Sequence, residues 1–410
     1  MRKSVSLLLT TVVAACLGAA CSKQEQKADP SAAAEKTAAA TAAPVETEIK
    51  LGQTMPYSGP ASAYGQVGKV QAAFFAKVNR EGGVGGKKIN LISVDDSYSP
   101  PKTVEQTRKL VEQEKVTAIF GSLGTAPNSA THKYLNTKEI PQLLIQSGAH
   151  KWNDPKNFPW TMAFVPSYHR EGMIYGQHIL KNKPNAKIAV LYQNDDLGKD
   201  LLDGLKHGLG DKASMIVAEA SYEASDPTVD SQIVTLKGSK ADTLVFFTTP
   251  KFGAQAIRKV DDLGWKPQRY IANVSASVGA TLVPAGLARS KGLITSGYTK
   301  DPTDPQYAND PDIKAFLEFM KAEMPNADIK DGSNVVGYVS AQVMLQILKQ
   351  CEGDFSGKNM MKQAANIKDF KSGLLQDGIV INTSPTDFEL FDTLNTVVFD
   401  GEKWGPPPAG

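Results

Sequence analysis

Beyond residue 47, apolar and polar positions switch between two periods, and the switching predicts the architecture. Residues 48–53 alternate polar and apolar as a half-buried strand does, and residues 55–60 break the run with a turn. Val67, Val70, Phe74 and Val78 then recur at three- and four-residue spacing, one face of a helix. The glycine-rich stretch 81–86 ends that helix, residues 89–94 form the next strand, and a helix runs through Val104, Thr107 and Val111. A strand over 117–120, a helix over 128–136 and a strand over 142–145 follow. Strand and helix alternating at this rhythm predict a parallel sheet covered by helices on both faces.

The pattern restarts near Pro166. Helices are expected over 168–180, 197–209, 229–237 and 252–263, and strands over 187–192, 215–220, 242–247 and 269–273. Later segments predict a strand over 292–297, helices over 313–323 and 335–349, and two short closing strands over 387–390 and 396–399. Two similar open α/β units of this kind place a ligand cleft between them, facing the carboxyl ends of their strands.

The amino terminus follows a different rule. Met1-Arg2-Lys3 is a short cationic start, residues 4–15 are apolar, and small residues lead up to Cys21. This is the order of a secretory leader, and its apolar run is too short for a permanent membrane span. It resembles a bacterial lipoprotein signal, in which a Cys after small residues is lipidated and becomes the mature terminus. Cys21, after Gly18-Ala19-Ala20 and before Ser22-Lys23-Gln24, fits that role. Cys16 has the better local consensus but leaves apolar residues 17–20 in the mature chain. An ordinary cleaved leader with two incidental cysteines is the other reading. Residues 22–47 carry Ala, Lys, Glu, Gln and Thr with no large apolar side chain, and read as a tether reaching roughly 85 Å at full extension.

Composition narrows the function. The net charge of +2 is accounted for by Arg2 and Lys3, so the mature chain is near neutral, which argues against a nucleic-acid binder. After Cys21 only Cys351 remains, so no intramolecular disulfide forms. No later stretch is long and apolar enough to be a transmembrane helix.

The usual catalytic and cofactor motifs are missing. There is no strand–Gly-x-Gly-x-x-Gly–helix unit, no phosphate loop, no nucleophile elbow and no zinc helix, so no cofactor, metal or catalytic residue is assigned. The histidines at 132, 150, 169, 178 and 207 lack paired metal spacing and read mostly as helix-surface residues. The pairs Asp95-Asp96 and Asp195-Asp196 follow strands, where carboxylates cap the next turn or helix or do acid–base work. Two loops fit a small ligand. Gly121-Ser122-Leu123-Gly124-Thr125 leaves one strand and Ser147-Gly148-Ala149-His150 the next, each presenting backbone N–H groups and hydroxyls suited to a carboxylate. The same loops also read as ordinary turns with N-capping hydroxyls. Tyr57 and Tyr64 flank the exit of the first strand.

Several motifs resemble the leucine/isoleucine/valine-binding family of periplasmic binding proteins, the substrate receptors of ABC importers. They are Ser58-Gly59-Pro60 through Tyr64-Gly65, Asn79-Arg80-Glu81-Gly82-Gly83-Val84-Gly85-Gly86-Lys87, Asp95-Asp96-Ser97, and Asn194-Asp195-Asp196-Leu197-Gly198-Lys199-Asp200. The resemblance implies the type I periplasmic binding protein fold, two Rossmann-like α/β lobes joined by a three-crossing hinge near Pro166, Gly297 and Asn382. Lobe one is then 48–165 plus 297–381, and lobe two 166–296 plus 382–410, after a signal peptide (1–20) and a lipidated tether (21–47).

By the same resemblance, Tyr64 stacks on the ligand side chain, Thr125 binds its carboxylate, and His150 stands where another hydroxyl is usual. Leu123, Gly148 and Ala149 complete those loops, Leu197 takes a position often held by Tyr, and Thr249 and Ser275 close the pocket from lobe two. The amino-acid binders place an acid near Ser275 to pair with the ligand's ammonium, and Asn273-Val274-Ser275-Ala276 offers none. An unpaired buried ammonium is costly, so amine-free carboxylates rival branched-chain amino acids as ligand. Tyr98 and Gly124 stand where the family's early disulfide is expected. The implied partners are a small-molecule carboxylate, an inner-membrane ABC permease and, through the lipid anchor, a membrane. A sensory module using the same lobes is the competing role. The implied location is periplasmic or otherwise extracytoplasmic.

Overall fold

The computed structural model describes residues 48–407, which build two largely parallel sheets. The leader, Cys16, Cys21 and the tether lie outside the described residues. The first sheet contains β1 (Glu48–Met55), β2 (Lys88–Asp95), β3 (Ala118–Phe120), β4 (Gln142–Ile145) and β5 (Thr161–Ala163), in the order β2-β1-β3-β4-β5. The second contains β6 (Ile188–Gln193), β7 (Ile216–Tyr222), β8 (Thr243–Phe247), β9 (Gln268–Ile271) and β10 (Leu293–Gly297). Its order repeats the first, β7-β6-β8-β9-β10, and is extended beyond β10 by β11 (Asn395–Phe399) and β12 (Trp404–Gly405). Every pairing is parallel except β10 with β11 and β11 with β12.

Burial explains the strand sequences. Central β8 (Thr-Leu-Val-Phe-Phe) is buried at every residue because helices cover both faces, whereas edge strand β7 alternates half-buried and exposed. Helices α1 (Gly65–Arg80), α2 (Pro100–Glu112) and α3 (Thr125–Thr137) serve the first sheet. Helices α4 (Tyr168–Asn182), α5 (Asp196–Leu209), α6 (Asp230–Gly238) and α7 (Pro250–Asp262) serve the second. The short α8 (Val283–Ala285) and α9 (Leu287–Ser290) precede β10, and α10 (Pro311–Glu323), α11 (Ser333–Gln350) and α12 (Gly357–Ala364) come after it. These last three return to the first core, where Phe316, Val339, Met344, Ile347 and Met360 pack with Val70, Phe74 and Phe120.

Four expectations change. The third crossing, expected near Asn382, falls between Leu394 and Asn395, because Phe388, Leu390, Phe391 and Leu394 still pack into the first core. For the same reason residues 387–390 form no strand. Their apolar alternation plugs Phe388 and Leu390 into that core, and only an isolated bridge joins Ser384 to Asp387. The closing strands β11 and β12 run antiparallel within a sheet expected to be parallel. Strands β5 and β12 and helices α8, α9 and α12 were not anticipated; β5 and α12 are the ones that bear on the first core. The first is three residues long, and the second carries a legible signal in its Ser356 cap and the spacing of Met360, Met361 and Ala364.

Candidate functional site

In a doubly wound sheet the crevice lies where strand order reverses, beyond the strands' carboxyl ends. Here the reversals are β1/β3 and β6/β8, and the loops leaving those strands, with β4 and β9, line a cleft of about 530 Å³. That volume is in the range of small-molecule sites.

The first wall is built on the amino terminus of α3. Gly124 is its cap, with φ of +106°, and no side chain bonds the first-turn amides. Buried Asn128 fixes the loop by donating Nδ2 to the carbonyls of Ser122 (3.1 Å) and Gly124 (2.7 Å). Gly124 also leaves room for an aromatic neighbour, since a Cβ there would stand 2.6 Å from Tyr98 Cε2. The two positions where a disulfide was looked for are thus in contact, filled by a ring against a glycine.

A hydroxyl chain ends at the same place. Trp152 Nε1 donates to Ser147 Oγ (3.0 Å), and Ser147 Oγ lies 2.7 Å from Thr125 Oγ1. An indole N–H only donates, so Ser147 accepts from Trp152, and within the Ser147–Thr125 pair either hydroxyl can donate to the other. Thr125 thus sits beside the positive end of the helix dipole, with its hydroxyl bonded to Ser147 and next to the Tyr168 phenol. Burial pushes the nearby Tyr168 phenol up to about 12, against the opposing pull of Gly148, Thr125 and Ser147, so it stays a neutral hydroxyl.

The second wall comes from α5, α7 and the turn after β9. Asp195 caps α5, accepting from the amides of Leu197 (3.0 Å) and Gly198 (3.4 Å), and Gln193 Nε2 donates to its other oxygen at 2.7 Å. Burial raises its carboxyl above the ordinary range while those hydrogen bonds oppose the shift. Of the two readings of the acidic pairs, capping therefore accounts for Asp195. It also accounts for Asp95, which accepts from the Ser58 and Ser97 amides at 3.1 and 3.0 Å, and for Asp96, bonded to the Tyr98 amide and the Thr103 hydroxyl. Thr249 caps α7, with its amide donating to Tyr222 Oη at 3.1 Å. The walls meet where Tyr64 Oη donates to the Val274 carbonyl (2.8 Å), and again where Ser277 Oγ donates to Asp331 Oδ1 (2.9 Å).

Of the expected site residues, Tyr64, Leu123, Thr125, Leu197 and Thr249 line this cleft. Four do not. Gly148 packs against the turn into α4, where a Cβ would stand 2.0 Å from the Pro166 carbonyl. Ala149 is buried in the core beneath. His150 is exposed, its amide donating to Asp200 Oδ2 (2.7 Å) and its ring 5.7 Å from that of His169. Ser275 is wholly buried, and its hydroxyl is turned away to the Thr248 carbonyl. His132, read as a surface residue, is 5 % exposed between Trp152 and Phe158, and burial holds its imidazole down to about 4.

Sequence reasoning missed Tyr98, Gln146, Tyr168 and Asn273 as lining residues. Gln146 had a signal of its own, a polar residue closing an apolar strand. Among the described residues no cluster of three or more His, Cys, Asp or Glu side chains is arranged to hold a metal ion. Nor is any helix there long and apolar enough to cross a membrane.

A match to the family described as periplasmic binding protein spans residues 48–387. The chain belongs to that family. Leu/Ile/Val-binding protein homolog 7 of Brucella suis biovar 1 (strain 1330) is 24 % identical over 349 residues, covering 82 % of this chain and 84 % of the relative. The fold is that of a branched chain amino acid ABC transporter protein from Thermus thermophilus with bound valine (TM-score 0.77, 16 % identity, 88 % and 95 % of the two chains). It is equally that of a solute binding protein from R. palustris in complex with benzoate (TM-score 0.73, 19 % identity, 87 % and 95 %). The architecture is therefore the type I periplasmic binding protein fold, and membership implies small-molecule binding outside the cytoplasm.

Proposed function

We propose that this chain is the substrate-binding lipoprotein of an ABC importer, anchored through Cys21, and that it captures a small carboxylate in the cleft between the two sheets. The role is capture and delivery to an inner-membrane permease rather than catalysis. The observation that carries the reading is the set of uncapped first-turn amides of α3 beside the hydrogen-bonded hydroxyls of Thr125 and Ser147. First-turn amides that no side chain caps, with hydroxyls beside them in a ligand-sized cleft, suit a carboxylate. The 26 residues after Cys21 would keep the receptor at high effective concentration beside its permease.

Branched-chain amino acids are one cargo class and amine-free aliphatic or aromatic acids the other. The second is favoured by the turn Asn273–Ser275, which brings no acid to the cleft. In amine-free acids the carboxylate is the only charge to satisfy. Thermal-shift and calorimetric titration of leucine, isoleucine, valine, benzoate and medium-chain fatty acids separates the classes. Stabilisation by at least one acid is expected, and silence across the panel refutes carboxylate capture. Fractionation of cells carrying Cys21→Ser tests the anchor, with release from the membrane fraction expected.

A further inference from the structure

Two buried polar atoms at the cleft, Gln146 Oε1 and Ser296 Oγ, have no hydrogen-bond partner in the protein, and a strained strand end holds the first in place. The pairing of β4 with β5 shifts register between Gln142 and Ile145. Within that shift Leu144 has φ of +54°, a left-handed conformation that a buried leucine takes only when its surroundings impose it. The turned carbonyl of Leu144 accepts from Gln146 Nε2 at 3.2 Å. That contact fixes the orientation of the side-chain amide, because the flipped form would set Oε1 against the carbonyl oxygen. The main chain of Gln146 is held as well, its amide donating to Ser122 O (3.0 Å) and its carbonyl accepting from Gly124 N (3.3 Å). Gln146 lines the cleft, is 6 % exposed, and its Oε1 finds no donor in the protein. A buried acceptor left without a donor is a standing cost that a bound N–H or O–H removes.

We infer that Gln146 is a specificity-determining residue, and that the ligand is a carboxylic acid bearing a neutral hydrogen-bond donor, a hydroxyl or amide N–H, close to its carboxylate. This rests on the carboxylate reading above. Closeness follows from the chain, since Gln146 precedes Ser147, whose hydroxyl lies 2.7 Å from that of Thr125, and its carbonyl bonds the cap of α3. Neutrality follows from the charges around it. Among the described residues, the charged side chains lining the cleft all come from residues 300–377, and none from the loops beside Thr125 and Gln146. A carboxamide oxygen satisfies a hydroxyl fully but leaves a buried ammonium without its counter-charge.

The test uses two skeletons, each with hydrogen, hydroxyl or ammonium at C2: 4-methylpentanoate, 2-hydroxy-4-methylpentanoate and leucine, then phenylacetate, mandelate and phenylglycine. Calorimetry on the mature chain should show the hydroxy acid of the fitting skeleton binding about tenfold tighter than its unsubstituted parent, and tighter than the amino acid. Gln146→Met, which keeps length but removes the acceptor, should bring hydroxy acid and parent within about twofold. Gln146→Glu should reverse the preference toward the amino acid, and it tests the assignment even if the Met variant folds poorly. Parent and hydroxy acid binding alike in the wild type overturns the inference while leaving carboxylate capture intact, and so does a preference that both variants retain. If none of the six binds while an acid of the earlier panel does, this inference falls and carboxylate capture stands; silence across both panels overturns both.

Discussion

Gly204→Ala should loosen the joint beneath the cleft. Helices α4 and α5 meet backbone to backbone through Gly172 and Gly176 on one and Gly204 and Gly208 on the other. A Cβ at Gly204 would stand 2.0 Å from the carbonyl oxygen of His169, with matching values of 2.2 Å from Gly172 to Leu201 O and 2.3 Å from Gly208 to Met173 O. Such contacts essentially never fall below 3.0 Å, so the helices must part by roughly 1 Å. The atoms in the way are main chain on both sides and cannot swing aside as a long side chain would. Overpacking of this kind costs about 1–3 kcal/mol, and the rigid surroundings point to the upper end. Replacing Gly by Ala inside a helix returns about 1 kcal/mol. A net loss of about 2 kcal/mol follows, which lowers the melting temperature by roughly 3 °C. Ligand affinity should fall too, because α4 begins at Tyr168 and α5 carries Leu197, both in the cleft wall. Differential scanning calorimetry is the assay. Gly238→Ala, at the end of α6 with nothing within 4 Å of its Cβ, is the control and should be neutral. Equal melting temperatures for the two variants would refute the close-packing argument.

Three further outcomes are expected. Glu171 is buried with its Oε1 accepting from Tyr175 Oη and the Asn273 amide, and burial pushes its carboxyl up from 4.5 to about 7. Its folded value lies above the unfolded one, so its contribution to stability is full below pH 4.5, is lost between pH 4.5 and 7, and is flat above. Glu171→Gln should therefore gain about 3 kcal/mol on the wild type between pH 4.5 and 8 in urea unfolding, and parallel pH profiles would contradict it. Thr125→Val removes the hydroxyl but keeps the shape, and should weaken the best acid of the panel roughly tenfold or more by calorimetry, with a small fall in melting temperature because buried Ser147 loses a hydrogen-bond partner. Tyr64→Phe deletes the hydrogen bond to Val274 O and should speed ligand release in stopped-flow by about fivefold; an unchanged rate would mean that this contact does not hold the walls together.

Periodicity along the chain was enough for nearly every helix and strand of the two sheets, because those elements owe their pattern to one buried face or two. The near-neutral charge is likewise readable without coordinates, and so are the motifs of the periplasmic binding protein family to which the chain belongs. The loop Gly121–Thr125 could be placed as well, since a small-residue turn between an apolar strand and a helix fixes where the helix amides point.

What depends on orientation across the fold was decided only in three dimensions. Ser275 occupies the expected loop but turns its hydroxyl to the Thr248 carbonyl, and His150 is exposed with its main-chain amide on Asp200, because a side chain's direction follows from its neighbours rather than from its place in a motif. Residues 382–394 share the composition of either half, and only packing assigns them to the first core. The left-handed turn at Leu144 has no sequence signal at all, since nothing in a leucine favours it, and it is this turn that aims Gln146. Sequence alone thus determined that a cleft would form and which strand ends would border it. The tertiary structure decided which atoms face it, because that depends on contacts between segments far apart in the chain.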